Sequence, residues 1–270
     1  MKITIIGTGY VGLVSGACFA ELGHDVLCVD KNEKKIDMLL SGTVPFFEPG
    51  LSELVRCNHA EGRLSFSTEI KKGVEHGSVI FVAVDTPSKA TGAADLSSIE
   101  NVALQIGSCL SDDYRVIVEK STVPVQTGEW LAETIRRTAG PNSSFDVVSN
   151  PEFLREGTAI RDFMNPDRVV IGAGSERASA LLVKLYEPIN APLLITDINS
   201  AELIKHSANA FLAMKISFIN SIADICDLSG ADIDKVARGI GLDRRISMDF
   251  LNAGIGYGGS CFPKDVSAFI

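Results

Sequence analysis

Cys261 stands in a glycine turn near the end of a 270-residue chain, with Gly258 and Gly259 before it and Pro263, Lys264 and Asp265 behind it. Those neighbours suit a nucleophile. The glycines clear the approach to the sulfur, Pro263 stiffens the exit, and the Lys264 charge can lower a thiol pKa from its free value of about 8.5. The competing reading is a structural cysteine buried in the turn, because unpaired cysteine is among the most buried residue types. The other end of the chain bears on that choice. Residues 2–6 form an apolar, β-rich run that breaks at Gly7, Gly9 and Gly12, with Tyr10 and Val11 between the last two, and passes into a helical pattern stopping at Gly23. A second apolar run, residues 25–29, ends in Asp30, 18 residues after Gly12. In that spacing Gly7 allows a tight turn, Gly9 lets backbone amides reach a pyrophosphate, and Gly12 lets the helix pack on the strand. Asp30 falls where an acid binds a ribose 2′-hydroxyl. The pattern predicts a dinucleotide site, and the acid at position 30 predicts NAD, since a 2′-phosphate would be repelled.

Those residues need a frame. The opening strand, turn, helix and strand, with near-continuous β-branched runs at 79–84 and 116–119, predict an α/β fold: a Rossmann-like, doubly wound, mostly parallel sheet covered on both faces. Each of the two runs ends in a threonine and a proline, Thr86 with Pro87 and Thr122 with Pro124. Ligands of such sheets lie beyond the carboxyl ends of the strands, so Thr86 and Thr122 either line the nicotinamide half of a cofactor or merely cap the next helix or turn. A helix is expected at 33–40. Glu48, in the turn-rich stretch 43–50, reads as a solvated loop carboxylate, and 89–98 as a surface loop. Further strands are expected at 146–149, 169–171 and 193–195, with a helix at 178–186. Glu152, Arg155 and Glu156 follow a strand end and so face the same crevice.

At Asn199 the pattern changes. Asn199 and Glu202 make a capping-box-like start, and a helical pattern then runs free of glycine and proline to Ser229, about 45 Å at the helical rise. Lys205, Asn209, Asn220 and Asp224 share one stripe of this otherwise apolar helix, which is either a solvent face or part of a site. Phe211, Leu212, Ile216, Phe218, Ile219 and Ile222 offer more apolar surface than one following helix, expected at 232–238, can cover, which predicts a homodimer through the long helix. The expected domains are a Rossmann-like one at 1–198 and a helical one, with the long spine helix, at 199–270.

Composition excludes several classes. With 34 acidic and 25 basic residues and a net charge of -9, the chain lacks the basic footprint of a nucleic-acid or anionic-membrane binder. The six cysteines show neither C-x-x-C pairing nor a zinc pattern with the four histidines, which points to reduced thiols in a cytoplasmic protein and to no metal. No apolar run reaches the roughly 20 residues of a membrane helix, and the chain opens directly into a strand with no apolar signal region.

Taken together, the glycine turn at 7–12, the Ser-Thr-Val-Pro run at 121–124, the Asn-Pro-Glu-Phe-Leu-Arg-Glu run at 150–156, Lys205 with Asn209, and residues 258–265 resemble the nucleotide-sugar 6-dehydrogenases, in that family's order and over the whole chain. Residues 241–246 and 250–256 look like its UDP-glucose branch rather than its GDP-mannose branch. The resemblance implies two successive hydride transfers from a primary alcohol to NAD, with a thiohemiacetal and then a thioester on Cys261 as nucleophile. It implies proton transfer by Glu152 with a water held by Thr122, activation of water or thiol by Asp265, and an oxyanion stabilised by Lys205 and Asn209. It places the sugar nucleotide against Glu152, Phe153, Leu154, Arg155 and Glu156, and against Phe250, Leu251, Asn252, Ala253, Gly254, Ile255, Gly256 and Gly258. It sends Arg245 across a dimer interface and puts Lys35, Glu156 and Lys264 beside the cofactor. Members of that family continue past the cysteine motif into a further domain that grips the UDP, which the resemblance places outside residues 1–270. A two-electron NAD dehydrogenase of the 3-hydroxyacid type, needing no thiol, and a non-catalytic NAD-binding fragment remain the alternatives.

Overall fold

Short β-branched runs, each too short to make a helix worth forming and bounded by turns, become strands, and the longer amphipathic stretches between them become helices. A computed structural model describes residues 1–89, 91–259 and 262–269. In chain order the elements are β1 (Lys2–Ile6), α1 (Tyr10–Glu21), β2 (Asp25–Val29), α2 (Glu33–Leu40), α3 (Leu51–Ala60), β3 (Leu64–Ser67), α4 (Ile70–His76), β4 (Val79–Val82) and α5 (Ser97–Cys109). They continue as β5 (Arg115–Glu119), α6 (Thr127–Arg136), β6 (Phe145–Ser149), α7 (Ala159–Met164), β7 (Val169–Ala173), α8 (Glu176–Tyr186), β8 (Leu193–Thr196), α9 (Ile198–Ser229), α10 (Ile233–Gly241) and α11 (Phe262–Phe269).

The strands form one sheet in the order β3-β2-β1-β4-β5-β6-β7-β8. Every neighbouring pair is parallel except β6 with β7, which is antiparallel. The Rossmann-like, doubly wound, mostly parallel sheet is therefore present. Alternation along the strands builds a core on each face: Val79, Phe81, Val116 and Val118 join one apolar cluster, and Ile80, Val82 and Ile117 join the other. The chain order reverses between β1 and β4, so the crevice beyond their carboxyl ends is the topological switch point.

Several boundaries differ from the sequence reading. β4 stops at Val82 rather than 84, and α5 opens at Ser97, which shortens the expected surface loop. β3 and α4 fall in a stretch whose weak periodicity hid them; β3 is a four-residue strand with alternate half-exposed serines. The capping box at Asn199 is not formed. α9 begins at Ile198, the Ser200 amide and hydroxyl donate instead to Asp197, and Glu202 serves another helix, as described below.

The chain divides into two compact units, Met1–Thr86 with Asp95–Leu203, and Pro87–Ala94 with the residues from Ile204 onward. The first holds the whole sheet. In the second, Ile219, Ala237 and Leu251 form a small core with Ile222, Ile233 and Ile240. Ile219 and Ile222, assigned from sequence to a dimer face, therefore pack within the chain. The large apolar residues that α9 leaves exposed are Leu203, Phe211, Met214, Phe218, Ile225 and Leu228, the last five of which are spaced by three, four or seven residues and so share one side.

Candidate functional site

The glycine turn joins β1 to α1 at the switch point. Gly7 has φ 103, and a Cβ there would lie 2.4 Å from the Ala83 carbonyl oxygen; a Cβ on Gly12 would lie 1.9 Å from the Gly7 carbonyl oxygen. Both glycines are demanded by the protein's own backbone. Gly9 is different, since a Cβ there meets nothing among the described atoms closer than the Asp85 carboxylate at 3.6 Å. α1 starts with no side-chain cap and no acid in its first turn, so the amides of Tyr10, Val11 and Gly12 are left for an anion. These features fit a dinucleotide's pyrophosphate. Asp30, at the end of β2, accepts from the Thr8 amide at 2.9 Å and hydroxyl at 2.8 Å and from the Asn32 amide at 2.9 Å. Lys35 Nζ lies 3.7 Å from the same carboxylate. Burial alone would raise the Asp30 pKa, but those donors and the Lys35 charge outweigh it and hold it below the usual value.

Thr86 donates its hydroxyl to the Thr122 carbonyl at 3.0 Å. Neither threonine caps a helix, because α5 and α6 begin several residues further on. Glu202 accepts from the amides of Gln126 and Gly128, each at 2.7 Å, and so caps α6, the helix that follows the Thr122 loop. Burial raises the Glu202 pKa to about 7 despite those amides. Burial, with Glu202 nearby, also pushes Glu119 well above its usual value. The buried Lys120 reaches the Asn150 side-chain oxygen at 3.1 Å and its carbonyl at 3.3 Å, and Tyr186 donates to the same side-chain oxygen at 2.6 Å. This network anchors the residue that opens the 150–156 segment.

Along that segment Glu152 is buried and accepts from the Leu154 amide at 2.6 Å. The Arg168 guanidinium sits 3.7 Å from the centre of the Phe153 ring. Arg155 forms a two-pronged pair with Asp162, at 3.0 and 2.6 Å, and Glu156 is exposed. Glu48 corrects the sequence reading outright: only 4% exposed, it accepts from Tyr10, Gly157 and Ala159. The signal available was a carboxylate set between two phenylalanines and a Pro-Gly turn, a setting that gives it few solvated conformations.

In the second unit, Asn209 donates to Asp265 at 2.7 Å, and Lys264 Nζ lies 2.7 Å from the other oxygen of Asp265. Asp265 is 2% exposed, and Lys205 and Asn209 are buried on α9. Three of the five second-unit residues given catalytic or cofactor roles thus form one polar cluster. Cys261 lies outside the described residues. The stripe on α9 does not hold together along its length: Asn220 accepts from the Gly254 amide at 2.8 Å, but Asp224 is exposed. Leu251 is buried in the small core and Phe250 is half-buried, while Asn252, Ala253, Gly254, Ile255, Gly256 and Gly258 are exposed. Arg245 pairs with Asp243 of its own chain at 2.6 Å. Sequence reasoning passed over Lys215, whose Nζ reaches the carbonyls of Ile246 at 2.8 Å and Ser247 at 3.3 Å. It secures a stretch where Ser247 and Phe250 hold φ of 67 and 65, a conformation that costs a non-glycine residue about 1–3 kcal/mol. Among the described residues no group of His, Cys, Asp and Glu is arranged to hold a metal ion, and no helix is long and apolar enough to cross a membrane.

Comparison with known proteins places these features. Residues 1–190 match the NAD binding domain of the UDP-glucose/GDP-mannose dehydrogenase family and residues 199–270 its central domain. The chain is 53% identical to the UDP-glucose 6-dehydrogenase TuaD of Bacillus subtilis (strain 168), over 100% of this chain and 58% of that protein. It is 55% identical to the UDP-glucose 6-dehydrogenase of Rhizobium meliloti (strain 1021), over 100% of this chain and 63% of that protein. Among solved structures, a UDP-glucose dehydrogenase from the archaeon Pyrobaculum islandicum superposes with a TM-score of 0.97 at 42% identity, over 100% of this chain and 63% of that one. A GDP-mannose dehydrogenase from Pseudomonas aeruginosa gives 0.89 at 38% identity, over 100% and 63%. The chain thus spans about three fifths of the length of these relatives. With both domain matches falling on the sheet unit and the spine helix just described, the chain belongs to the UDP-glucose/GDP-mannose dehydrogenase family and carries its NAD-binding domain.

Proposed function

We propose that the chain serves the NAD-dependent, two-step oxidation of UDP-glucose to UDP-glucuronate, as the names of its relatives suggest. The observation that carries the reading is the presence of both a dinucleotide turn ending in a charged Asp30 and a Lys264–Asp265–Asn209 cluster, its Asp265 and Asn209 buried, behind the cysteine motif. NAD, held by Gly7 to Gly12, Asp30, Lys35, Thr86 and Thr122, supplies the hydride acceptor for both steps. Glu156 and Lys264 support it.

The remaining roles fall to the chain's own groups. Glu152, with a water on Thr122, takes the proton of the sugar's primary alcohol as it becomes an aldehyde. The Cys261 thiolate adds to the aldehyde carbon, and the resulting thiohemiacetal is oxidised to a thioester, which water cleaves to a carboxylate and the free thiol. Lys205 and the amide hydrogen that Asn209 does not give to Asp265 would stabilise the oxyanion, where loss of one donor costs about 2.7–4 kcal/mol. Asp265, acceptor to two donors already, is suited to orienting a water. Residues 152–156, 250–256 and Gly258 would hold the sugar nucleotide. A homodimer through the exposed side of α9, with Arg245 reaching the partner chain, completes the reading. The free thiols of Cys18, Cys28, Cys57, Cys109 and Cys226 accord with a cytoplasmic location.

The test is NADH yield per UDP-glucose in a chain of the relatives' length, with mass spectrometry of the protein. Two NADH per sugar and a thioester on Cys261 are expected. One NADH per sugar, or a Cys261→Ser variant that still forms the acid at full rate, would contradict it.

A further inference from the structure

The Glu48 carboxylate gathers donors from two stretches far apart in the chain. Its Oε2 accepts the Tyr10 hydroxyl at 2.5 Å and the Gly157 amide at 2.7 Å, and its Oε1 accepts the Ala159 amide at 2.8 Å. Tyr10 opens α1 in the glycine turn, while Gly157 and Ala159 close the 152–157 segment and open α7. The Tyr10 hydroxyl also lies 3.3 Å from the Arg155 carbonyl. Bonds to an ionised acceptor are about twice as strong as neutral ones. Burial and the Glu48 bond together keep the Tyr10 hydroxyl protonated and donating. Asp162 holds the same segment from its other side, through the Arg155 amide and guanidinium and the Thr158 hydroxyl. Asp162 touches nothing in the glycine turn among its described hydrogen bonds, so the described links to the turn are the short Glu48 bonds and the longer Tyr10–Arg155 bond, both made by the Tyr10 hydroxyl.

We propose that Glu48 is a positioning residue, which locks residues 155–159 to the Tyr10 hydroxyl so that a dinucleotide seated on the glycine turn stiffens the segment that receives the sugar nucleotide. The inference rests on the assignment of the turn to NAD and of residues 152–156 to substrate. Nothing in the chemistry of a nucleotide turn requires its first helical side chain to reach a carboxylate 38 residues on. A tie of this kind makes the order of one site depend on the other, which is the physical content of coupling.

Amide exchange at Gly157 and Ala159 tests it, with and without saturating NAD, saturation being checked by calorimetry. In Glu48→Gln one acceptor oxygen becomes a donor group, so cofactor-free exchange at those amides should quicken at least about tenfold. NAD should slow exchange there in the wild type and fail to do so in Glu48→Gln at saturation, a loss that a merely structural carboxylate would not produce. Should that variant not fold, Tyr10→Phe cuts only the tie to the turn: cofactor-free exchange should stay near the wild-type rate while the slowing by NAD disappears. Unchanged exchange in Glu48→Gln, or slowing by NAD that persists in either variant, would overturn the proposal. A wild-type chain that takes up no NAD would sink the cofactor assignment and the transmitted effect, and cofactor-free exchange alone would then decide whether Glu48 holds the segment.

Discussion

Two stretches of this chain are marked by glycine, and their glycines do different things. In the turn after β1, Gly7 and Gly12 are required by backbone that approaches within 2.4 and 1.9 Å of where a Cβ would stand. In the stretch before Cys261, Gly254, Gly256 and Gly258 have no described atom within 4 Å of the same point. The glycine turn and Asp30 lie within one compact unit, and the turn is shaped by that unit's own backbone. The second stretch is an exposed ribbon, held at Leu251 and at the Asn220–Gly254 bond, in which Gly256 is required by its own φ of 114 while Gly254 and Gly258 are required by no described neighbour. Gly7 and Gly12 therefore report packing, whereas Gly9, Gly254 and Gly258 leave open surface.

Alanine substitutions break or sharpen that contrast, and the largest effect belongs to Gly12→Ala. Its Cβ meets backbone that cannot yield, so a loss of about 1–3 kcal/mol of stability is expected, read as a lower denaturant midpoint. Gly254→Ala and Gly258→Ala should stay within about 0.5 kcal/mol of the parent and raise only the KM for sugar nucleotide in a chain of the relatives' length. A midpoint as low as that of Gly12→Ala would show that the ribbon is packed after all. Phe218→Asp, on the exposed side of α9, should shift the chain toward monomer in light scattering at micromolar concentration. An unchanged mass would remove α9 from the proposed interface.

A pH-dependent effect concerns Glu202. Its pKa is raised from the usual 4.5 to about 7, by burial against the opposing amides of Gly128 and Gln126, with Glu129 adding to the rise and Glu119 nearby. A raised pKa means the folded state binds the proton more tightly, so the stabilisation is fully present below pH 4.5 and is lost as pH rises through about 7. The wild type should lose stability relative to Glu202→Gln over that window, measured by urea midpoints. Parallel pH profiles would mean that Glu202 stays ionised.

The sheet unit was legible because strand runs and glycine spacing are local: β1, β2 and α2 fall where the sequence placed them. β3 and α4 were not, since a four-residue strand at the sheet edge with alternating serines carries little periodicity. Asp30, Asn209, Lys264 and Asp265 could be named from motifs, but the bonds joining Asn209 to Asp265 across 56 residues could not. Glu48 and Glu202 mislead for the same reason. A carboxylate in a turn or near a helix start reads as local, and its true donors lie 38 to 111 residues away for Glu48 and 74 to 76 for Glu202. Burial of an acid is a tertiary fact, for which Glu48 offered only its apolar Phe-Phe and Pro-Gly neighbours and Glu202 no short-range signal.

The most direct test of the self-built dinucleotide site is calorimetric titration of this chain with NAD and NADP, beside its Gly9→Ala variant. Gly9 has no described neighbour closer than 3.6 Å to a Cβ, so the substitution should leave the unfolding midpoint within about 0.5 kcal/mol. The added methyl group would nevertheless stand where the pyrophosphate must approach, and NAD affinity should fall at least about tenfold. In the parent, NAD should bind at least about tenfold more tightly than NADP, because Asp30 remains charged and repels a 2′-phosphate. Equal affinity for the two cofactors, or undiminished NAD binding by Gly9→Ala, would contradict the assignment of this turn.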